Sequence, residues 1–402
     1  MAIIRTIKKL IPEQHPLRLL WHRSRSLLAA LRYGFPARHV TVIGVTGTDG
    51  KTTTVGMIAH ILHANGIRVG ALSTAFFQID GDIRWNATQK TSPSPFVVQK
   101  FLRNLVRRGC THAVLEYSSH GLVQGRTLFT WPSVAAITNL SEEHLDYHGN
   151  MEEYLRAKSL LFLMLRKNGT KVLNRDDRSY ETLNQIPSAR TAIYSLIAHR
   201  YSLRLRIPGS FNIENALCAI TCAEAVGIAP EKSIAALATF PGVPGRMEQI
   251  SEGQPFTVII DFTVTPKSYE ATLSTLRESL AIGSKLLVLM GSCGDRMKEK
   301  RPIIGNIAST YADIIVVTNE DPYTEDPEKI IDEVWAGIDH ARVQAHRISD
   351  RKSAIEFLLK SATPGDTVIF CGKGSDTTMM TANGQVPWDE REIVRSLLEA
   401  RR

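Results

Sequence analysis

The chain has 402 residues, 43% hydrophobic and 22% charged, with a net charge of +8. That length provides for two or three domains with substantial cores, and the balance excludes wholesale disorder. Residues 1–40 hold eight Lys and Arg against Glu13 alone, so seven of the eight net charges sit there; the nearly neutral remainder argues against a broad phosphate-binding face and hence against a nucleic-acid partner.

In chain order, Leu17, Leu20, Trp21, Leu27, Leu28 and Leu31 fall on one face of a helix, with Arg18, His22, Arg25 and Arg32 on the other side. Gly34 and Pro36 close the segment, as helix stop signals do. Two placements are compatible with this pattern. The apolar stripe packs on the protein body, or residues 17–33 lie on a membrane surface with the arginines at the interface.

From His39 onward, short apolar runs at 40–45, 112–117, 133–138, 257–261, 285–290, 313–318 and 366–371 read as strands. Amphipathic stretches at 53–64, 94–108, 151–166, 212–226, 266–280, 301–311, 326–336, 350–362 and 389–400 read as helices. Continuous apolar strands alternating with helices imply α/β architecture with mostly parallel sheets covered on both faces. Pro241-Gly242-Val243-Pro244-Gly245 is the strongest cluster of breakers and reads as a domain junction. The expected division is a basic helical segment at 1–38, a nucleotide-binding domain at 39–245 and a second α/β domain at 246–402. Five scattered cysteines and the lack of a secretory h-region or of an apolar run near 18 residues suggest a cytosolic location, with peripheral attachment if the arm is interfacial.

Gly44-Val45-Thr46-Gly47-Thr48-Asp49-Gly50-Lys51-Thr52-Thr53-Thr54 follows a strand and opens a helix. Glycines allow backbone N–H groups to wrap phosphate oxygens, Lys51 reaches the terminal phosphates, and the Thr52 hydroxyl is a ligand for Mg²⁺. The loop alone does not separate a kinase, a GTPase and a ligase.

Thr46 to Thr53 resembles the nucleotide loop of the Mur ligases, ATP-dependent amino-acid-adding enzymes. Further blocks follow in that family's order: Glu116-Tyr117-Ser118-Ser119-His120-Gly121-Leu122 with Gln124 and Arg126, Thr138 to Gly149, Ala157-Lys158-Ser159-Leu160-Leu161-Phe162, Phe211-Asn212-Ile213-Glu214-Asn215, and Gly242 to Glu248. Gly294-Asp295-Arg296 with Lys300-Arg301-Pro302, and Gly372-Lys373-Gly374, complete the set. The resemblance covers about residues 40–402 and is nearest the UDP-N-acetylmuramoyl-tripeptide synthetases, the branch that adds the third stem-peptide residue.

The resemblance implies a central P-loop ATPase domain followed by a Rossmann-like C-terminal domain. It implies ATP-driven activation of a muramoyl-peptide carboxylate as an acyl phosphate, which an amino acid then attacks. Gly47, Thr48, Asp49, Gly50, Lys51, Thr52, Thr53, Asn215, Arg246 and Asp261 are the expected ATP contacts, with Asn215 toward the adenine. Thr52, Glu116, His144 and Lys158 are the expected Mg²⁺ ligands, Lys158 as a carbamate; Lys51, Glu116, His144 and Lys158 are the catalytic set. Thr91, Ser92, Ser118, Gln124 and Arg126 are expected to contact the muramoyl-peptide, whether UDP-linked or lipid-linked. Arg296, Glu320, Asp321, Tyr323, Gly372 and Asp376 are expected to surround the incoming amino acid.

Four departures qualify the resemblance. About 40 residues precede the loop where the branch has a UDP-gripping domain, and 194–209 is short. Val264 stands in place of a histidine in Asp261-Phe262-Thr263-Val264-Thr265-Pro266. The D-N-P-R motif of diaminopimelate-adding members reads Glu320-Asp321-Pro322-Tyr323, and G-K-G-H-E reads Gly372-Lys373-Gly374-Ser375-Asp376. A site without its bidentate Arg binds a second carboxylate poorly, so the expected amino acid is not meso-diaminopimelate. The rival readings are a ligase for another γ-glutamyl-type acceptor and a non-catalytic nucleotide-binding scaffold.

Overall fold

The computed structural model describes residues 15–401; the first 14 residues of the expected N-terminal segment lie outside the described residues. The chain divides into two compact units, one comprising residues up to 140, 148–206 and 212–240, the other 141–147, 207–211 and 241–402.

The first unit is built on eight strands: β1 Thr41–Thr46, β2 Val69–Leu72, β3 Phe76–Ile79, β4 Asp82–Trp85, β5 His112–Glu116, β6 Val134–Ile137, β7 Thr170–Asn174 and β8 Arg190–Tyr194. Their order is β4-β3-β2-β5-β1-β6-β7-β8. All neighbours are parallel except the β2/β3 and β3/β4 pairs. Helices Lys51–Ala64, Pro95–Arg107 and Met151–Leu163 are joined to this sheet as crossovers. One packed cluster runs from Val42, Ala113 and Leu115 to Leu102, Leu105, Leu161 and Phe162.

The second unit holds β9 Glu248–Ile250, β10 Thr257–Asp261, β11 Leu286–Met290, β12 Ile314–Val317, β13 Gln344–Arg347 and β14 Thr367–Cys371. They are arranged β13-β12-β11-β14-β10-β9, with only β9 antiparallel. Alternation along each strand feeds two cores. Ile259, Leu286, Val288, Met290, Ile315, Val317 and Ile369 face one set of helices, and Val258, Ile260, Leu287, Leu289, Ile314, Val316, Val368 and Phe370 face the other. Because both faces are covered, these strands lack polar alternation. Helix Pro266–Ser279 starts from a capping box, in which the Thr265 hydroxyl accepts from the Ser268 N–H and Ser268 reciprocates.

The N-terminal helix, Pro16–Tyr33, ends at Gly34 with φ 70°. It packs against helix Pro95–Arg107 within the first unit, with Leu19 half-buried but the leucines of the stripe turned away. Ser26, Ala29 and Ala30 are buried, and the Ser26 hydroxyl donates to the Gly125 carbonyl at 2.7 Å. The Leu17, Leu20, Trp21, Leu27, Leu28, Leu31 stripe is 41–65% exposed. Of the two placements left open by the sequence, the stripe laid on the body is not the one found: the helix docks there through Ser26, Ala29 and Ala30, whose small side chains permit close backbone approach. Ala30→Arg, which forces a large cation into a site with no free volume, is expected to lower the melting temperature by about 2–6 °C, whereas Leu28→Ser changes it by about 1 °C or less, as calorimetry would show.

Candidate active site

In the first unit the chain reverses direction across the sheet around β1, β5 and β6, so the carboxyl ends of these three neighbours converge. Open α/β sheets bind ligands at such a point. The phosphate loop leaves β1 there. Gly47 has φ 144° and Gly50 has φ 78°. A Cβ on Gly47 would collide with the Thr138 hydroxyl, and one on Gly50 with the Asn215 amide oxygen. Both positions therefore need glycine for space as well as for backbone angle.

The loop is held from the end of β6. The Asp49 N–H donates to Asn139 Oδ1 at 3.0 Å, while the Thr138 hydroxyl and the Asn139 amide donate to the Asp49 carbonyl at 2.6 and 3.2 Å. Lys51 Nζ donates to the Thr48 carbonyl at 2.7 Å, and Thr52 and Thr53 are buried in the first turn of the following helix. Asn215 lies against Gly50 and accepts from the Thr54 hydroxyl at 3.3 Å, so it abuts the loop itself.

Glu116, at the end of β5, is 2% exposed. Its carboxylate accepts from the Thr52 hydroxyl at 2.9 Å, from the Thr74 N–H at 2.7 Å and from the Thr74 hydroxyl at 2.9 Å. Thr74 Oγ1 is also 2.9 Å from Thr91 Oγ1. Thr52, Glu116, Thr74 and Thr91 thus form a continuous oxygen-rich line leading away from the loop. A carboxylate with a hydroxyl beside a phosphate loop is a hard donor set suited to Mg²⁺. Among the described residues no group of three or more His, Cys, Asp or Glu is placed to hold a metal ion, so these donors rely on hydroxyl oxygens.

Lys158 is 1% exposed; its Nζ donates to the Gly47 carbonyl at 2.5 Å and sits 4.2 Å from the centre of the Tyr154 ring. Next to it, burial and then the Lys158 charge push His148 down to about 4, leaving a neutral ring within 3.0 Å of the Ser119 hydroxyl.

The residues expected to contact the acceptor are also brought together. Arg126 donates to Gln124 Oε1 through Nε and Nη2 at 2.9 and 2.6 Å, and to the Ser92 carbonyl at 2.9 Å. The Ser118 N–H donates to Ser92 Oγ at 3.0 Å, and the Ser118 hydroxyl caps helix Ser119–Val123.

In the second unit, the carboxyl ends of β10, β11, β12 and β14 carry the remaining candidates. Asp261 accepts from the Met247 N–H at 2.7 Å and from the Thr263 hydroxyl; burial raises its pKa above the ordinary carboxylate value despite these donors. Arg246 stacks on Phe262 at 4.3 Å, and Arg296 on Tyr323 at 5.0 Å. Glu320 is buried, accepts from the Cys293 thiol at 3.1 Å and closes over Gly372, where a Cβ would strike it. Lys373 donates to both oxygens of Asp321 at 2.9 and 2.8 Å and stands 3.6 Å from Asp376. Burial, reinforced by Asp321 and only partly offset by Lys373, raises Asp376 to about 6. His144, with φ 59°, belongs to the 141–147 segment of this unit, where the adjacent Glu143 is fixed by Lys300 at 3.0 Å.

Sequence reasoning passed over Thr74, Asn139, Glu143, Lys300 and Lys373 as individual site residues. Asn139, Glu143, Lys300 and Lys373 stood inside quoted blocks, which was the available signal; Thr74 stood in none.

The Mur ligase middle domain matches residues 45–196, and the Mur ligase glutamate ligase domain matches 245–374. The UDP-N-acetylmuramyl-tripeptide synthetase of Roseiflexus sp. (strain RS-1) is 37% identical, over 92% of this chain and 81% of its own length. The UDP-N-acetylmuramoyl-L-alanyl-D-glutamate–2,6-diaminopimelate ligase of Geobacillus kaustophilus (strain HTA426) is 35% identical, over 94% and 83%. A solved UDP-N-acetylmuramoyl-L-alanyl-D-glutamate–2,6-diaminopimelate ligase superposes with a TM-score of 0.60 at 29% identity, covering 90% of this chain and 79% of its own. A Mycobacterium tuberculosis folylpolyglutamate synthase complexed with ADP and AMPPCP gives a TM-score of 0.72 over 87% and 92% of the two chains; at 19% identity that likeness is one of fold.

The buried Lys300–Glu143 pair sets a test of how the His144 segment is held. Lys300→Met strands a buried carboxylate and is expected to cost about 3–5 kcal/mol, while the double variant Lys300→Met/Glu143→Gln recovers much of the loss; denaturant titration of the four proteins measures the coupling.

Proposed function

The chain belongs to the Mur ligase family of ATP-dependent, amide-bond-forming ligases, and from that premise we propose that it joins an amino acid other than meso-diaminopimelate to the carboxylate of a muramoyl-peptide, as the third stem residue. The observation that carries the reading is the line Thr52–Glu116–Thr74–Thr91, which connects the phosphate loop to residues proposed to meet the acceptor. Phosphoryl transfer between two anions needs charge neutralisation and positioning above all. Lys51, the loop N–H groups and the N-terminus of helix Lys51–Ala64 supply positive potential at the phosphates.

Thr52 and Glu116 would hold Mg²⁺, with a carbamylated Lys158 as a further ligand by resemblance; the ion would supply neutralisation of phosphate charge. Asn215 supports the loop beneath the nucleotide, and Arg246 and Asp261 are the proposed phosphate and ribose contacts of the second unit. Ser92, Ser118, Gln124 and Arg126 orient the peptide carboxylate, their mutual hydrogen bonds restricting the Arg126 fork to one direction.

The amino-acid residues support the specificity. Tyr323 replaces the arginine that would pair a distal carboxylate, and Arg296 lies over its ring while remaining a cation for an α-carboxylate. Asp321 and Asp376 share Lys373, and Asp376, which also feels Arg246, is the acid proposed to meet an ammonium group. In competition for a UDP-linked or lipid-linked muramoyl-dipeptide, read by mass spectrometry, lysine, ornithine or a monocarboxylic amino acid is expected to exceed meso-diaminopimelate by about tenfold or more. Preferential incorporation of meso-diaminopimelate would overturn the assignment.

A pH dependence follows. Asp376 is charged above about 6 and neutral below; an ammonium substrate therefore loses an electrostatic partner as the solution becomes more acidic. KM for the amino acid should rise below pH 6 with kcat less affected, and Asp376→Asn should show the raised KM without that inflection.

A further inference from the structure

We infer that the N-terminal helix is a docking face for an anionic lipid bilayer, presented outward by the first unit. The helix is fixed along its small side by Ser26, Ala29 and Ala30. The opposite side is an apolar stripe of five leucines and Trp21, all exposed, with Ser24 as its one polar member, the hydroxyl donating to the Leu20 carbonyl at 2.9 Å. From Leu17 to Leu31 that stripe extends about 21 Å. Patches of this kind on a soluble protein mark an interaction surface.

Charge selects the occupant. By helical periodicity Arg23 borders the stripe on one flank, and Arg25 and Arg32 border it on the other. Arg25, half-buried, lies 4.7 Å from the Trp21 ring centre and 6.0 Å from that of Phe96 on helix Pro95–Arg107, so its charged head is held at the inner edge of the stripe. No Asp or Glu occurs between Glu13 and Asp49. An amphipathic helix with leucines and a tryptophan in the middle, arginines at both margins and no acid is the composition that seats at a headgroup boundary. A second copy of this chain is disfavoured as the occupant. A two-fold contact through the stripe would bring together two helices that each carry four arginines and no acid. No helix among the described residues is long and apolar enough to cross a membrane, so attachment through this face is peripheral.

The test uses the full chain, sedimented with vesicles of phosphatidylcholine alone or mixed with phosphatidylglycerol. Wild-type protein is expected to partition onto the mixed vesicles at least about tenfold more than onto the neutral ones, and less as salt is raised. Leu20→Glu/Leu28→Glu is expected to reduce that partitioning by about tenfold or more without altering thermal melting, because both side chains are exposed. As a readout independent of that variant, brominated acyl chains should quench wild-type fluorescence, and the quenching should fall in Trp21→Phe. Equal partitioning of wild type and the double variant would overturn the inference. So would wild-type protein that stays in solution with both vesicles, or a wild-type dimer in light scattering that the double variant dissociates.

Discussion

Glu116 is the constraint on which the first unit depends. Its carboxylate is buried, and among the described residues no basic side chain pairs with it; its partners are two threonine hydroxyls and one backbone N–H. Burying an anion among neutral donors is costly unless several of them converge on it. Thr52 arrives from the helix after β1, Thr74 from the segment after β2, and Glu116 from β5 itself. These segments meet only because β2, β5 and β1 lie side by side. The sheet order is thus the device that builds the site, and the glycines at 47 and 50 let the loop approach the Thr138 and Asn215 side chains that seat it.

The second unit solves a related problem with full charges. Arg351, 2% exposed, makes a bidentate pair with Glu390 and donates to the Cys371 carbonyl at 2.7 Å. It thereby fastens the end of β14 to the start of the last helix, Glu390–Glu399. Lys373, two residues beyond Cys371, then neutralises Asp321 at the end of β12. A buried network of this kind contributes modest net stability, but it leaves few alternative positions for the acids it contains. Asp376, at the edge of that network, shares Lys373 with Asp321 and also lies in the field of Arg246.

How far the sequence foretold these arrangements depends on what each residue type reports. β10, β11, β12 and β14 were legible because strands covered on both faces are apolar throughout. β4 is exposed along its length, and β13 reads Gln-Ala-His-Arg; sheet-edge strands need no apolar signature. β7 is obscured by Lys171, which is buried in the strand yet satisfied by the carbonyls of Leu183, Asn184 and Ile186, a use of lysine that local pattern does not reveal. In the site, the loop and Glu116 stand in recognisable blocks. Thr74 does not, since its meaning comes from the adjacency of β2 and β5 rather than from its neighbours in sequence.

The N-terminal helix shows where amphipathicity stops being informative. Periodicity distinguishes two faces of a helix but does not say which is turned inward, and the usual assumption turns the leucines in. Here the inward face is Ser26, Ala29 and Ala30. Each leucine buried on the body would have contributed about 1.5–3 kcal/mol, far more than an alanine in the same position. A helix serving only to cap the first unit would be better held the other way round. The retained arrangement exchanges packing energy for an outward surface of leucines bordered by arginines. The four arginines of this helix, with no acid among them, belong with that surface rather than with the nucleotide site.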